Sequence, residues 1–278
     1  MTKLVEPMPA ERTEADMAAI REAMKKCETS KIPTCLYTYH AMRGAIQGRF
    51  PESPIFVFNS KLSDGHDVWM TIRIVKFLPP ELTIETNSKA DNFDRELESM
   101  QEMFEEVHRR FPALLNGQRR FLLIGQKPLQ DVYARYMTET LKGIYKPAIF
   151  PTYLYYMTPE QQDRVLKMKL PLPEEYRFDK ADPDVDSEKI TKTWIHARAG
   201  DLEQTRRKGL GNAIEMRLSQ LCVENGTVPF KTVEFYNKPV IESTDKNNMW
   251  SRWNYPDGSP VHEEYRQFYP KEHFPSNL

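Results

Sequence analysis

Seven consecutive residues, Arg206-Arg207-Lys208-Gly209-Leu210-Gly211-Asn212, have the types and spacing to hold a phosphorylated ligand. Glycines let the backbone come close to an anion, and the unpaired N–H groups of a following helical turn point at it. The three cations add charge-assisted contacts to phosphate oxygens. Behind the loop, Ala213, Ile214, Met216, Leu218, Leu221 and Val223 predict that helix, and Asn225-Gly226 closes it with a left-handed cap. Alone, the pattern Arg-x-x-Gly-x-Gly is short and equally fits a solvated basic loop, so its surroundings decide its meaning.

Composition narrows the ligand. The chain has 278 residues, 40% hydrophobic and 28% charged, with a net charge of -1. A protein that neutralises phosphates along a duplex carries a basic surplus, so nucleic acid is not expected as a partner. The three cysteines, Cys27, Cys35 and Cys222, are odd in number and lack metal-ligand spacing, which argues against a disulfide scaffold and a metal site. Cys222 is expected as a buried, inert thiol on an apolar helix face. No apolar run approaches the roughly 20 residues of a membrane helix, so no membrane insertion is expected. The acidic residues Glu6, Glu11, Glu14 and Asp16 suit neither a signal nor a transit peptide. An intracellular protein, cytoplasmic or mitochondrial, is expected.

Around the loop, helices are expected at 14–27, 41–47 (ended by Gly48), 91–111 and 129–141. A further helix starts at Thr158-Pro159-Glu160, an N-cap Thr with Pro at the first position. Strands are expected at 35–39, 55–58, 68–77, 121–125, 152–157 and 228–236, the last ending at Asn237. The acidic residues of 91–106 read as a solvated face. Leu170-Pro171-Leu172-Pro173 resists helix and marks a domain boundary. A helix should follow from Asp182 to Trp194, its acids at the favourable end. The fold class is therefore α/β, with mixed strands and helices throughout.

Several segments together resemble the glycine N-acyltransferase-like family. Loop, helix, strand, Asn237 and a short helix at 238–247 are similar to the cofactor half of a GNAT-type acyltransferase. Trp250-Ser251-Arg252-Trp253-Asn254 resembles that family's Trp-x-x-Trp-Asn. The stretches 154–161 and 170–176 are similar to its linker, 182–194 to its C-terminal opening helix, and Phe50-Pro51-Glu52-Ser53-Pro54 to its N-terminal domain. The resemblance implies a GNAT-like N-terminal domain at 1–169 and a GNAT-type acyl-CoA-binding domain at 174–278. It implies acyl-CoA as cosubstrate, without a metal, and glycine or another small amino acid as acceptor. Arg206, Arg207, Lys208, Gly209, Leu210, Gly211, Asn212 and Asn237 would then hold coenzyme A. Amine would attack thioester directly, aided by a base and by donors to the oxyanion.

The chain departs from that family at one place. A GNAT fold sets three antiparallel strands between the opening helices and the pyrophosphate loop, which needs roughly 25 to 30 residues. Residues 195–205 supply about a dozen, so the C-terminal domain reads as internally shortened near 195–206, as in a truncated isoform. The strand expected to carry the base is missing with them. His196 and Glu203 lie near the junction, and Ser243 and Thr244 on the helix after Asn237, but none can be assigned, so the catalytic residues stay unknown. Three functions are open: an acyl-CoA:amino acid N-acyltransferase, an inactive form that at most binds coenzyme A, and an interaction module using the aromatic, Pro-rich tail at 255–274.

Overall fold

The computed structural model describes residues 3–5, 14–29, 33–49, 53–74, 78–112, 115–172, 174–179, 182, 185–186 and 210–275. They fall into two compact units, Met1–Tyr156 with Phe230–Leu278, and Met157–Pro229. The division does not follow the boundary expected at 169/174. Hydrogen-bonded strands in the last fifty residues join the first unit, and backbone pairing of that kind outweighs chain order.

The first unit is built on one mixed sheet. Its strands in chain order are β1 (Lys3–Val5), β2 (Ile55–Lys61), β3 (Asp67–Arg73), β4 (Glu81–Thr86), β5 (Phe121–Gln126), β6 (Tyr145–Tyr156), β7 (Phe230–Glu234), β8 (Ser251–Arg252) and β9 (His262–Pro270). They lie in the order β1-β2-β3-β4-β5-β9-β6-β7, with β8 beside the end of β6. β2, β3 and β4 form an antiparallel meander, β4 and β5 are parallel, and β9 runs antiparallel to both its neighbours.

Four helices cover the two faces. Alternation along β2 sends Phe56 and Phe58 toward α3 (Leu97–Arg110) and α4 (Lys127–Glu139), in a core with Phe104, Tyr133, Phe121 and Phe268. Ile55 and Val57 face the other way, joining Trp69 under α1 (Glu14–Thr29) and α2 (Leu36–Ile46). Burial on both faces explains why 55–58 reads as an uninterrupted apolar run. Opening helices, three antiparallel strands, a helix and a parallel strand are the order expected of a GNAT-like domain. They occur here in the first half of the chain.

Several elements differ from expectation, each for a local reason. Residues 35–39 are not a strand; α2 starts at Leu36, because the carboxylate of Glu85 accepts hydrogen bonds from Tyr37 N and Thr38 N at its first turn. A cap supplied from another element outweighs the β-propensity of the tyrosines. The helix expected at 91–111 begins only at Leu97, since Asn92 spends its side chain on Asp94 N in a turn. Glu96 is not part of a solvated face either. It is 8% exposed and accepts from the backbone and the hydroxyl of Ser63. β6 extends well before Thr152 despite Pro147 and Pro151. Those two residues face the same way, and Pro151 O accepts from Phe235 N on the side away from β9, so neither ring removes a donor from the β6–β9 ladder. β4 and β9 have no counterpart in the sequence reading.

The second unit contains α5 (Pro159–Lys167) and α6 (Leu210–Glu224). Thr158 and Gln161 form a reciprocal capping box at the start of α5. Gln220 on α6 is 7% exposed and donates at 2.9 Å to Val165 O and Met168 O at the end of α5. α6 closes at Gly226, whose φ of 65 is the left-handed conformation expected there. The helix expected at 182–194 is described only at its start, where Val185 N and Asp186 N donate to Asp182 O.

Candidate functional site

The phosphate loop expected from the sequence is described only in part. Arg206, Arg207, Lys208 and Gly209 lie outside the described residues, as do His196 and Glu203. Leu210 starts α6, a helix of 15 residues, and Gly211 and Asn212 are exposed in its first turn. Among the described residues, no heavy atom lies within 4 Å of the position a Cβ on Gly211 would take.

α6 meets its neighbours along one stripe only. Ala213, Met216, Ser219 and Gln220 are buried, whereas Ile214, Leu218 and Leu221 are 52%, 57% and 38% exposed. Cys222, expected to be buried, is only half-buried, because the buried stripe runs along Met216 and Gln220 rather than through it.

Asn237 sits in the first unit, at the N-cap of α7 (Lys238–Lys246). Its backbone oxygen accepts from Val240 N and Ile241 N, and its side chain makes no capping bond. Ser243 is exposed and Thr244 is buried on that helix. The aromatic residues behind α7 pack: Trp250 and Trp253 are each 8% exposed, and Lys231 Nζ lies 4.7 Å from the Trp250 ring centroid. Tyr155 donates to Asp245 at 2.8 Å, and Arg252 pairs with the same carboxylate while lying over the Tyr153 ring. Burial, then the Asp245 hydrogen bond, pushes the Tyr155 hydroxyl up to about 12, so it stays protonated.

A second polar group, unread in the sequence, crosses the sheet beneath the start of α2. Glu85 lies opposite Trp69 near the end of β4, and each of its oxygens accepts one backbone N–H, from Tyr37 at 3.1 Å and Thr38 at 2.6 Å. Tyr37 and Tyr265 share a hydrogen bond of 2.9 Å between hydroxyls, and Tyr265 lies 3.0 Å from the Thr232 hydroxyl. Glu263, fully buried on β9, stands opposite Gln126 on β5 and Thr152 on β6, so the three share one sheet face. Burial raises Glu85 to about 7 against the pull of its N–H donors. Burial, then the charges of Glu85 and Glu264, holds Glu263 well above the ordinary carboxylate range. In the sequence, Glu263 and Tyr265 lie inside the stretch 255–274 read as an aromatic, Pro-rich tail.

Among the described residues, no three His, Cys, Asp or Glu side chains are placed to hold a metal, and no helix is long and apolar enough to cross a membrane. No protein-family profile matches the chain, and no curated protein does. Solved structures do. A Drosophila protein determined by a structural genomics consortium superposes with a TM-score of 0.65 at 9% identity, over 91% of this chain and 97% of that one. A GCN5-related N-acetyltransferase from Sphaerobacter thermophilus gives 0.44 at 9% identity, over 96% and 95%. The fold is mixed α/β with one mixed sheet. At these identities the likeness concerns the fold.

Proposed function

We propose that this chain binds coenzyme A thioesters and belongs functionally with the N-acyltransferases, with glycine or another small amino acid as the acceptor its sequence resemblance implies. The observation that carries the reading is the first turn of α6, where Gly211 and Asn212 are exposed, directly behind three cations in the sequence. Arg206, Arg207 and Lys208 would neutralise the pyrophosphate, while the N–H groups of Gly209 to Asn212 approach its oxygens. Asn237, with its side chain uncommitted at the head of α7, is the further candidate contact. In the transfer itself the amine attacks the thioester carbon, the C–S bond breaks, the thiol leaves and the amine loses a proton. The GNAT-like sheet and the neighbour named as an N-acetyltransferase are consistent with that chemistry.

The test is calorimetric titration with coenzyme A and acetyl-CoA, followed by thiol release with glycine present. Saturable binding weakened in R206A/R207A is expected. Absence of saturable heat from either compound overturns the reading.

A second reading is favoured by a specific observation: the apolar stripe Ile214, Leu218 and Leu221 lies open on α6, and residues 195–205 are too few for three strands. On that reading the chain binds coenzyme A without turning it over. Binding with no thiol release across a panel of acyl-CoAs and amino acids selects it; release with glycine excludes it.

A further inference from the structure

Glu263 differs from the other buried charged groups around it. On the opposite face of the same strand, Arg266 is 3% exposed and fully matched: it donates to Glu264 at 2.6 Å and pairs with Asp131 on α4. Glu85 is matched by two backbone N–H groups. Glu263 is 0% exposed, and neither of its oxygens has a hydrogen-bond partner among the described residues. Gln126, directly opposite and 1% exposed, has its side-chain nitrogen equally unpartnered.

The groups that face Glu263 make ionisation worse. Glu85 reaches it from β4, Tyr37 from α2, Tyr255 from the segment ahead of β9, and Glu264 and Tyr265 from its own strand. Gln126 and Thr152, from β5 and β6, are uncharged. None of these is a cation, and the nearest basic ring on α2, His40, stacks on Phe230. A carboxylate with no donor, no counter-ion and a second carboxylate beside it is strongly disfavoured in a low-dielectric interior.

We infer that Glu263 is carried as a neutral carboxylic acid, across β5 from the N–H-capped Glu85, so that keeping it uncharged holds β9 in the sheet and its ionisation loosens that strand. The two groups titrate as a pair rather than separately. The sign follows from the raised values. A folded state that holds its protons above the ordinary carboxylate value of 4.5 is stabilised on the acid side, and that stability is lost as pH rises through about 7 for Glu85 and higher for Glu263. Alkaline pH therefore places two charges against each other where β9, β5 and β4 meet the start of α2.

Hydrogen exchange of the β9 amides read by mass spectrometry tests this on the whole chain, corrected for intrinsic exchange. Between about pH 6 and about pH 9, wild-type protection should fall roughly tenfold or more, while E263Q, which mimics the neutral acid, stays flat. A wild type whose protection does not change, or an E263Q that loses it equally, overturns the inference. If E263Q does not fold, infrared spectroscopy of the wild type decides: a buried protonated-carboxyl stretch at neutral pH that vanishes on alkalinisation is expected, and its absence refutes the proposal.

Discussion

In the first unit, nine strands among the described residues are held in one sheet by pairings between segments far apart in the chain. In the second, a residue string of the kind that could hold a phosphate precedes a helix, and the described residues there contain no strand. The contrast separates two kinds of information. Anion binding at a helix start is written in adjacent residues, so seven letters suffice to suggest it. Sheet order is written in contacts between residues far apart in sequence, which no local pattern reports.

That contrast can be broken most decisively at β9. Removing 257–278 should abolish cooperative folding of the first unit, because the strand is hydrogen-bonded to β5 on one side and β6 on the other. Circular dichroism showing an unchanged cooperative melt would refute the central placement and revive the idea of a detachable interaction tail. Next in size is Gly125→Ala. Gly125 has a φ of 152, and a Cβ there would lie 2.1 Å from Ile84 O on the parallel neighbour. The change should destabilise by about 3 kcal/mol in denaturant titration. A loss under about 1 kcal/mol would mean that β4 and β5 are not held this closely.

On the other side of the comparison, R206A/R207A should weaken coenzyme A binding by about 1.5–3 kcal/mol, roughly ten- to a hundredfold, and leave the melt of the first unit in place. A fall in melting temperature as large as the fall in affinity would show that the cations serve the fold instead. The smallest effect is expected at Thr158→Ala. Losing the reciprocal cap of α5 should cost about 1 kcal/mol by thermal denaturation, and no measurable cost would remove the capping box from the account of the second unit.

The sequence carried the periodic helices α1, α4, α5 and α6 and the apolar strands β2 and β5 well, because each of them buries a continuous stripe or run. It misread 35–39, where Cys-Leu-Tyr-Thr-Tyr favours a strand until Glu85, some fifty residues away, caps it as a helix. It missed β9 altogether. His-Glu-Glu-Tyr-Arg-Gln has the composition of a surface segment, and becomes a central strand only because Arg266 meets Glu264 and Asp131 on one face and Tyr265 meets Tyr37 on the other. The basic loop was legible as a pattern, and of its residues the described ones, Leu210, Gly211 and Asn212, begin α6. Glu85 and Glu263 were not legible, since nothing in their neighbourhoods along the chain shows that they share a face.

The position of β9 also sets an order of events in time. β5 and β6 are made early, yet the strand that must lie between them begins roughly a hundred residues after β6 ends. At about 5–20 residues per second of synthesis, the two strands wait roughly five to twenty seconds with facing edges unpaired. During that interval the nascent chain offers two open strand edges to any extended segment that arrives first. Translation speed through 157–261 is thus part of what decides whether this sheet closes on its own last strand or on another chain's.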